Sequence, residues 1–291
     1  MSSHRDEETI VEHFDWNQLS LERLKQLQSK ISKAIDLKRR DLKVPQSASN
    51  PTQRQGYKAS LAKVFPPHLR HALSDYQNCV FIISLGSQNF VEPQRLDASI
   101  RWISEHFKAC VILVGDSIYR LTISVRNGLT PDENRLEALQ TGQAFIQQNY
   151  SLFQRYSERC RFQFRLASEI EEDVDFEAYY QQFQVLYCRN DALQTMVNAF
   201  AQTYLKRSEQ TESGQVELRL QQQTHLAITY LLEELALFTC LAKAGWPVFV
   251  YPGSIKTFEE IAAGKHPDVP LPLKQAIWIS LRLKRKAIAA E

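Results

Sequence analysis

The sequence predicts an α/β fold, a parallel sheet with helices packed on both faces. Short, nearly continuous apolar runs recur along the chain, as expected of strands buried on both sides. Segments of helical periodicity separate them, the alternation that builds a parallel sheet. The length of 291 residues, 44% of them hydrophobic and 23% charged, gives a core of ample size. With 35 Lys+Arg against 33 Asp+Glu the net charge is only +2, so a polyanionic partner has to be met by a local patch. Only 9 residues are Gly, well under the usual share of about 7%. Neither GxGxxG nor GxxxxGK[ST] occurs, which argues against a glycine-rich phosphate cradle.

The elements follow in order. Residues 1–19 are polar, acidic and without an apolar leader segment. Leu21, Leu24, Leu27, Ile31 and Ile35 then mark an amphipathic helix whose polar face carries eight Lys/Arg against three Asp/Glu up to Lys43. Val44–Gly56 (VPQSASNPTQRQG) is a linker by composition. The division is therefore an N-terminal extension over 1–56 and one domain over 57–291. Cys79–Leu85 (CVFIISL) is the first buried strand, Pro93–Phe107 a helix, and Cys110–Val114 (CVILV) the second strand, closed by Gly115-Asp116. The loop VRNGLTPDEN leads into a long helix from Pro131 to Tyr156, with proline suited to its first turn. Arg161–Leu166 alternates as a third strand, and an acidic stretch follows. Helices are predicted over 176–187, 192–206 and 216–244, and Pro247–Tyr251 (PVFVY) is a fourth strand. The tail beyond Pro270 holds one more strand or helix and ends in Arg282, Lys284, Arg285 and Lys286. The whole reads as a Rossmann-like domain without internal repeats.

The five cysteines are scattered and include no CxxC pair, so neither a disulfide framework nor a metal site is expected. No apolar run approaches the roughly 18 residues of a membrane span. These features read as a cytoplasmic protein.

In such a sheet a ligand sits beyond the carboxyl ends of the strands, where strand order reverses. Four residues reach that edge. Ser84 closes the first strand before Gly86; Tyr230 and Glu234, four apart, share a helix face; Tyr251 closes the fourth strand before Pro252-Gly253. Singly, each has an ordinary explanation as a cap, a core pair or a boundary aromatic. No His adjoins them, and GxSxG is absent, so a serine hydrolase or acyltransferase reading lacks its base and its elbow.

Together the four resemble the tRNA-dependent cyclodipeptide synthases. That family carries H-x-[LVI]-[LVI]-G-[LVI]-S near its N-terminus and Y-[LVI]-x-x-E on a later helix. Tyr230-Leu231-Leu232-Glu233-Glu234 meets the second signature. Asn78-Cys79-Val80-Phe81-Ile82-Ile83-Ser84 meets the first with Asn for His, Phe for a smaller apolar residue and Ile82 for Gly. Ser84-Leu85-Gly86-Ser87-Gln88-Asn89-Phe90 parallels the family's S-P-G-N-S-Y-F. Ser87, Tyr251 and Pro252 match the subtype with a variable residue, Tyr and Pro at its three diagnostic positions. The resemblance covers about Tyr57 to Tyr251.

The resemblance implies a fold similar to the catalytic domain of class I aminoacyl-tRNA synthetases, and an aminoacyltransferase that joins amino acids from two aminoacyl-tRNAs per turnover into a diketopiperazine. Ser84 is the nucleophile, Glu234 and Tyr230 hold the substrate amine, and Tyr251 relays a proton. It also implies no cofactor, no protein partner and a monomer. Val80, Ile82, Gly86, Ser87, Leu237 and Pro252 fall at substrate-binding positions. Ile82 either narrows the pocket of the first amino acid, favouring a small residue, or faces the sheet core. The family's tRNA-binding helix corresponds here to Pro131–Tyr156, which offers only Arg135 and Arg155. Lys30, Lys33, Lys38, Arg39 and Arg40 of the N-terminal helix, with Arg282, Lys284, Arg285 and Lys286 of the tail, are the replacement candidates. A non-catalytic tRNA-binding protein is the alternative from another class.

Overall fold

A computed structural model of the chain describes residues 56–127, 130–208, 216–253 and 256–286. The N-terminal helix read over residues 20–43, with its five candidate tRNA-binding residues, lies outside the described residues. Strands run over Gly56–Phe65 (β1), Asn78–Ile83 (β2), Ala109–Val114 (β3), Arg161–Leu166 (β4), Val248–Tyr251 (β5) and Ile277–Lys286 (β6). Helices run over Gln88–Val91 (α1), Pro93–His106 (α2), Asp116–Asn127 (α3), Pro131–Gln154 (α4), Ala167–Glu171 (α5), Val174–Arg189 (α6), Asp191–Ser208 (α7), Val216–Lys243 (α8), Lys256–Ala262 (α9) and Leu271–Lys274 (α10). A 3-10 helix fills Pro67–Asp75.

The sheet order is β1-β6-β5-β2-β3-β4. Strands β2 to β6 pair in parallel, and β1 pairs antiparallel with β6. From β2 the chain winds outward to β3 and β4, then crosses back to β5 and β6 on the other side, which is the doubly wound arrangement. The sheet is thus parallel as predicted except at its β1 edge. There GYKASLAKVF alternates buried Tyr57 and Ala59 with exposed Lys58, the pattern of a strand with one wet face.

Alternation along the strands divides the core. Val80, Ile82, Val111, Leu113, Phe249 and Trp278 point to the face covered by α6, α7 and α8. Cys79, Phe81, Ile83, Ile112, Val250 and Ile279 point to the face covered by α2 and α4. Contrary to the expectation that no apolar run approaches a membrane span, the Leu220–Lys243 stretch of α8 is long and apolar enough to cross one by composition. Its Leu231, Leu235, Ala236 and Phe238 are nevertheless buried against the sheet, the position of a core helix.

Several segments differ from the sequence reading, strand β1 among them. Helix α3 is not among the predicted elements and runs into the expected loop as far as Asn127. Helix α9, which follows β5, is not among the predicted elements, and of the strand or helix expected in the tail the structure has strand β6. Helix α4 begins on a capping box at Thr130 and Glu133, with Pro131 in the first turn as predicted.

Helices α3 and α4 approach closely at Gly142. A Cβ there would fall well inside contact distance of the Asp116 Cβ. Asp116 is fully buried and accepts from the Ser168 backbone N–H at 3.0 Å and hydroxyl at 2.6 Å. Gly142→Ala is therefore expected to destabilise the fold by about 1–3 kcal/mol, the usual cost of overpacking. Chemical denaturation of the two proteins measures it.

Candidate active site

The reversal of strand order lies between β2 and β5, which pair through Val80↔Phe249 and Phe81↔Val250. Ser84 follows β2 directly, and Tyr251 is the last residue of β5. Helix α8 crosses above them and presents Tyr230 and Glu234. A cavity of about 370 Å³ is lined by all four residues. A second cavity of about 30 Å³ lies against Ser84, Tyr230 and Glu234 on the side of β3 and α3. The four residues singled out in the sequence are thus brought to one place.

Their surroundings set the chemistry. The Tyr230 hydroxyl donates to Glu234 Oε1 at 3.2 Å. Burial pushes the Glu234 carboxyl up to about 7, partly offset by that hydrogen bond. Burial, and then the charge of Glu234, raise Tyr230 well above the ordinary tyrosine range. The phenol therefore stays protonated, while the carboxyl exchanges a proton near neutrality, the range suited to a general acid or base. Tyr230 also stacks on Phe200, with ring centroids 6.0 Å apart, and lies 5.2 Å from the Tyr204 ring. Tyr204 and Thr122 share a hydrogen bond of 2.6 Å.

The loop after Ser84 depends on Gly86, whose φ is +81°. A Cβ there would also stand 3.2 Å from the Tyr119 ring and hydroxyl. Ser87 caps α1, its hydroxyl accepting from the Asn89 backbone N–H at 3.4 Å. The Pro252 carbonyl accepts from Asn89. Gly86, Ser87 and Pro252 thus shape the loops and do not line either cavity. Ile82 lines both cavities, and Leu237 lines the smaller. Val80, one strand step deeper on the same face, is fully buried and lines neither.

Sequence reasoning missed the far wall of the larger cavity. It comprises Met196, Phe200 and Tyr204 of α7, and Lys256, Phe258 and Glu260 of α9. Phe200 and Tyr204, four apart, left a signal indistinguishable from a core stripe. Among the described residues, no group of three or more His, Cys, Asp or Glu is placed to hold a metal.

No protein-family model matches the sequence, and neither does any curated protein. Solved structures do. A cyclodipeptide synthase from Fluoribacter dumoffii superposes with a TM-score of 0.68 at 23% identity, covering 80% of this chain and 100% of its own. A Mycobacterium tuberculosis protein gives 0.57 at 14% identity over 84% and 99%. The fold is that of the cyclodipeptide synthases. The Mycobacterium tuberculosis structure is described as demonstrating that such enzymes are related to type I tRNA synthetases. The synthase of Candidatus Glomeribacter gigasporarum, similar at 0.56 and 14% identity over 77% and 94%, was solved bound to Phe-tRNAPhe.

The raised Glu234 pKa makes stability depend on pH. Below the ordinary carboxylate value of 4.5 the group is protonated in both the folded and unfolded states. As pH rises the unfolded chain ionises first, so stability falls until about 7 and then levels off, by about 3 kcal/mol in all. Glu234→Gln keeps an acceptor for Tyr230 and removes this dependence. The variant is expected to be more stable than the parent at pH 8 and equal to it near pH 4, as read by denaturation at each pH.

Proposed function

We propose that this chain is a tRNA-dependent cyclodipeptide synthase of the subtype with a variable residue, Tyr and Pro at the diagnostic positions. It would act in the cytoplasm as a monomer without a cofactor. The observation that carries this reading is the convergence of Ser84, Tyr230, Glu234 and Tyr251 on one cavity at the strand-order reversal.

In the mechanism, Ser84 Oγ attacks the ester carbonyl of a first aminoacyl-tRNA. The bond to the ribose oxygen breaks, the hydroxyl proton goes to the departing tRNA, and an aminoacyl-serine remains. An activated ester as substrate explains why no imidazole base is needed. Glu234 holds the bound ammonium, whose charge favours the ionised carboxylate, and Tyr230 orients it. The amine of a second aminoacyl-tRNA attacks the seryl ester, breaking its bond to Ser84 and giving a dipeptidyl-tRNA; Ser84 Oγ then attacks that ester, the bond to the ribose oxygen breaks, and the second tRNA leaves a dipeptidyl-serine behind. The free amine finally closes the ring, Tyr251 passing its proton to the departing Ser84 oxygen.

The cavity beside Ser84, Tyr230 and Glu234 suits a small first side chain. Its volume of about 30 Å³ leaves room for only a small group, about two waters' worth. Ile82, Leu113 and Leu237 form its walls, and Ile82 faces this space as well as the core. The larger cavity has room for the second aminoacyl group.

For tRNA, strand β6 offers the better surface. In the register Tyr251↔Ser280, strand geometry puts Arg282 and Lys284 about 7 and 13 Å beyond the level of Tyr251. Both are exposed, and Lys284 pairs across from exposed Lys58 with no acidic partner among the described residues. Arg285 lies on the opposite face and bonds to Tyr57. By contrast Arg135 on α4 and Arg155, just past its C-terminal end, are paired with Glu171 and Asp97.

Mass spectrometry of medium from cells expressing the protein is expected to show cyclic dipeptides with a small residue, absent for Ser84→Ala. No cyclic dipeptide from the parent would refute the function. Ile82→Gly should shift the products toward larger first residues. Reversing Arg282 and Lys284 to Glu should weaken tRNA binding and flatten its salt dependence by a slope of about two, measured by titration at several salt concentrations.

A further inference from the structure

One side chain ties the loop after Ser84 to the turn after Tyr251. Asn89, in α1, donates from Nδ2 to the Pro252 carbonyl at 2.5 Å. Its Oδ1 accepts from Arg95 Nη1 at 3.1 Å. A guanidinium can only donate, so the Arg95 bond fixes which end of the amide faces Pro252. Arg95 is itself held, paired with Glu92 at 2.7 Å and lying over the Tyr57 ring at 5.0 Å. The Tyr57 hydroxyl donates to Glu92 at 3.3 Å and accepts from Arg285 Nε at 2.8 Å. From the other side, the Ser280 hydroxyl donates to the Gly253 carbonyl at 2.5 Å.

These bonds fix the backbone that carries Tyr251. The Gly253 N–H donates to the Tyr251 carbonyl at 3.1 Å. A Cβ at Gly253 would stand 3.1 Å from Tyr251 Cε1, so the glycine backbone lies against that ring. Phe90, next to Asn89, bounds the same ring with centroids 6.0 Å apart. The Ser84 loop therefore supplies both a hydrogen bond and an aromatic contact to the Tyr251 segment.

From this geometry we propose that Asn89, oriented by Arg95, is a positioning residue that sets Tyr251 against Ser84 for ring closure. The proposal rests on the function argued above. In that step the free amine nitrogen bonds to the seryl ester carbonyl, and the bond from that carbon to Ser84 Oγ breaks. The amine proton passes through the Tyr251 hydroxyl to the departing oxygen. A phenol relays a proton only while its oxygen stays in hydrogen-bond reach of both atoms, and displacements of about 1 Å can cost up to 10²-fold. Forming the aminoacyl-serine does not use Tyr251, so Asn89 acts on the last step.

The test compares the parent with Asn89→Ala, Asn89→Asp and Arg95→Lys, each incubated with charged tRNAs. Intact-protein mass spectrometry reads the aminoacyl and dipeptidyl adducts, and small-molecule mass spectrometry reads the cyclic product. Asn89→Ala is expected to form the aminoacyl adduct at the parent rate, accumulate the dipeptidyl adduct and lose product roughly tenfold or more. Asn89→Asp, which sets a carboxylate oxygen against the Pro252 carbonyl, should lose product similarly. Arg95→Lys retains a donor and should keep most of it. In protein labelled with 3-fluorotyrosine, the Tyr251 resonance, identified by its loss in Tyr251→Phe, should shift in Asn89→Ala. An unmoved Tyr251 resonance, or adduct and product falling in equal proportion, overturns the proposal and leaves the function standing. Neither adduct nor product from the parent overturns the function and the proposal with it.

Discussion

The parallel pairing of β2 with β5 is the constraint on which the site depends. It joins two stretches far apart in sequence, and its register is short: Val80 faces Phe249, and Phe81 faces Val250. Such a short ladder holds because both strands are apolar on both faces and each face is covered by helices. Slipping it by one residue would turn Ile82 from the cavity wall to the opposite face. The same pairing sets Ser84 and Tyr251 at neighbouring strand ends, with the Asn89 and Ser280 side chains bracing the second end.

Above this edge, α8 treats two adjacent carboxyls in opposite ways. Consecutive helical residues point about 100° apart, so Glu233 and Glu234 meet different environments. Glu233 is buried but accepts from Arg120 Nη2 at 2.5 Å, and Arg120 also approaches Glu171 at 3.8 Å. Burial still raises the Glu233 carboxyl, and the guanidinium holds that rise back. Glu234 meets a phenol instead of a cation, and its carboxyl rises to about 7. The paired residue ties α8 to α3 and α5, and the adjacent one is left able to receive a cation. Under the proposed function, a cationic amine entering the cavity would supply the charge that the fold withholds, so the binding site would coincide with an electrostatic cost at Glu234.

Much of this was legible in the sequence because burial on both faces leaves an unambiguous trace. CVFIISL, CVILV and PVFVY could hardly be anything but buried strands, and their order with the long helix gave the sheet. The structure's own additions lie where the local signal is weak. Strand β1 carries Gly56, Lys58 and Lys63 and depends on pairing with β6 for its shape. Helix α3 is rich in β-branched and hydroxyl residues, which favour helix poorly, and packing against α4 and α8 holds it helical. Within the site, the four motif residues were readable through their resemblance to a family, whereas Phe200, Tyr204 and Phe258 look like any core aromatics. Val80 shares the face of Ile82, yet one strand step carries it below the cavity floor. That depth cannot be read from alternation alone.

An aminoacyl group on Ser84 is the intermediate that the proposed function requires. The protein is incubated with a charged tRNA, quenched in acid and digested, and the peptide containing Ser84 is weighed. One added aminoacyl mass is expected on Ser84, retained in Ser87→Ala and lost in Ser84→Ala. An adduct on another residue, or no adduct with any charged tRNA, would contradict the proposed function.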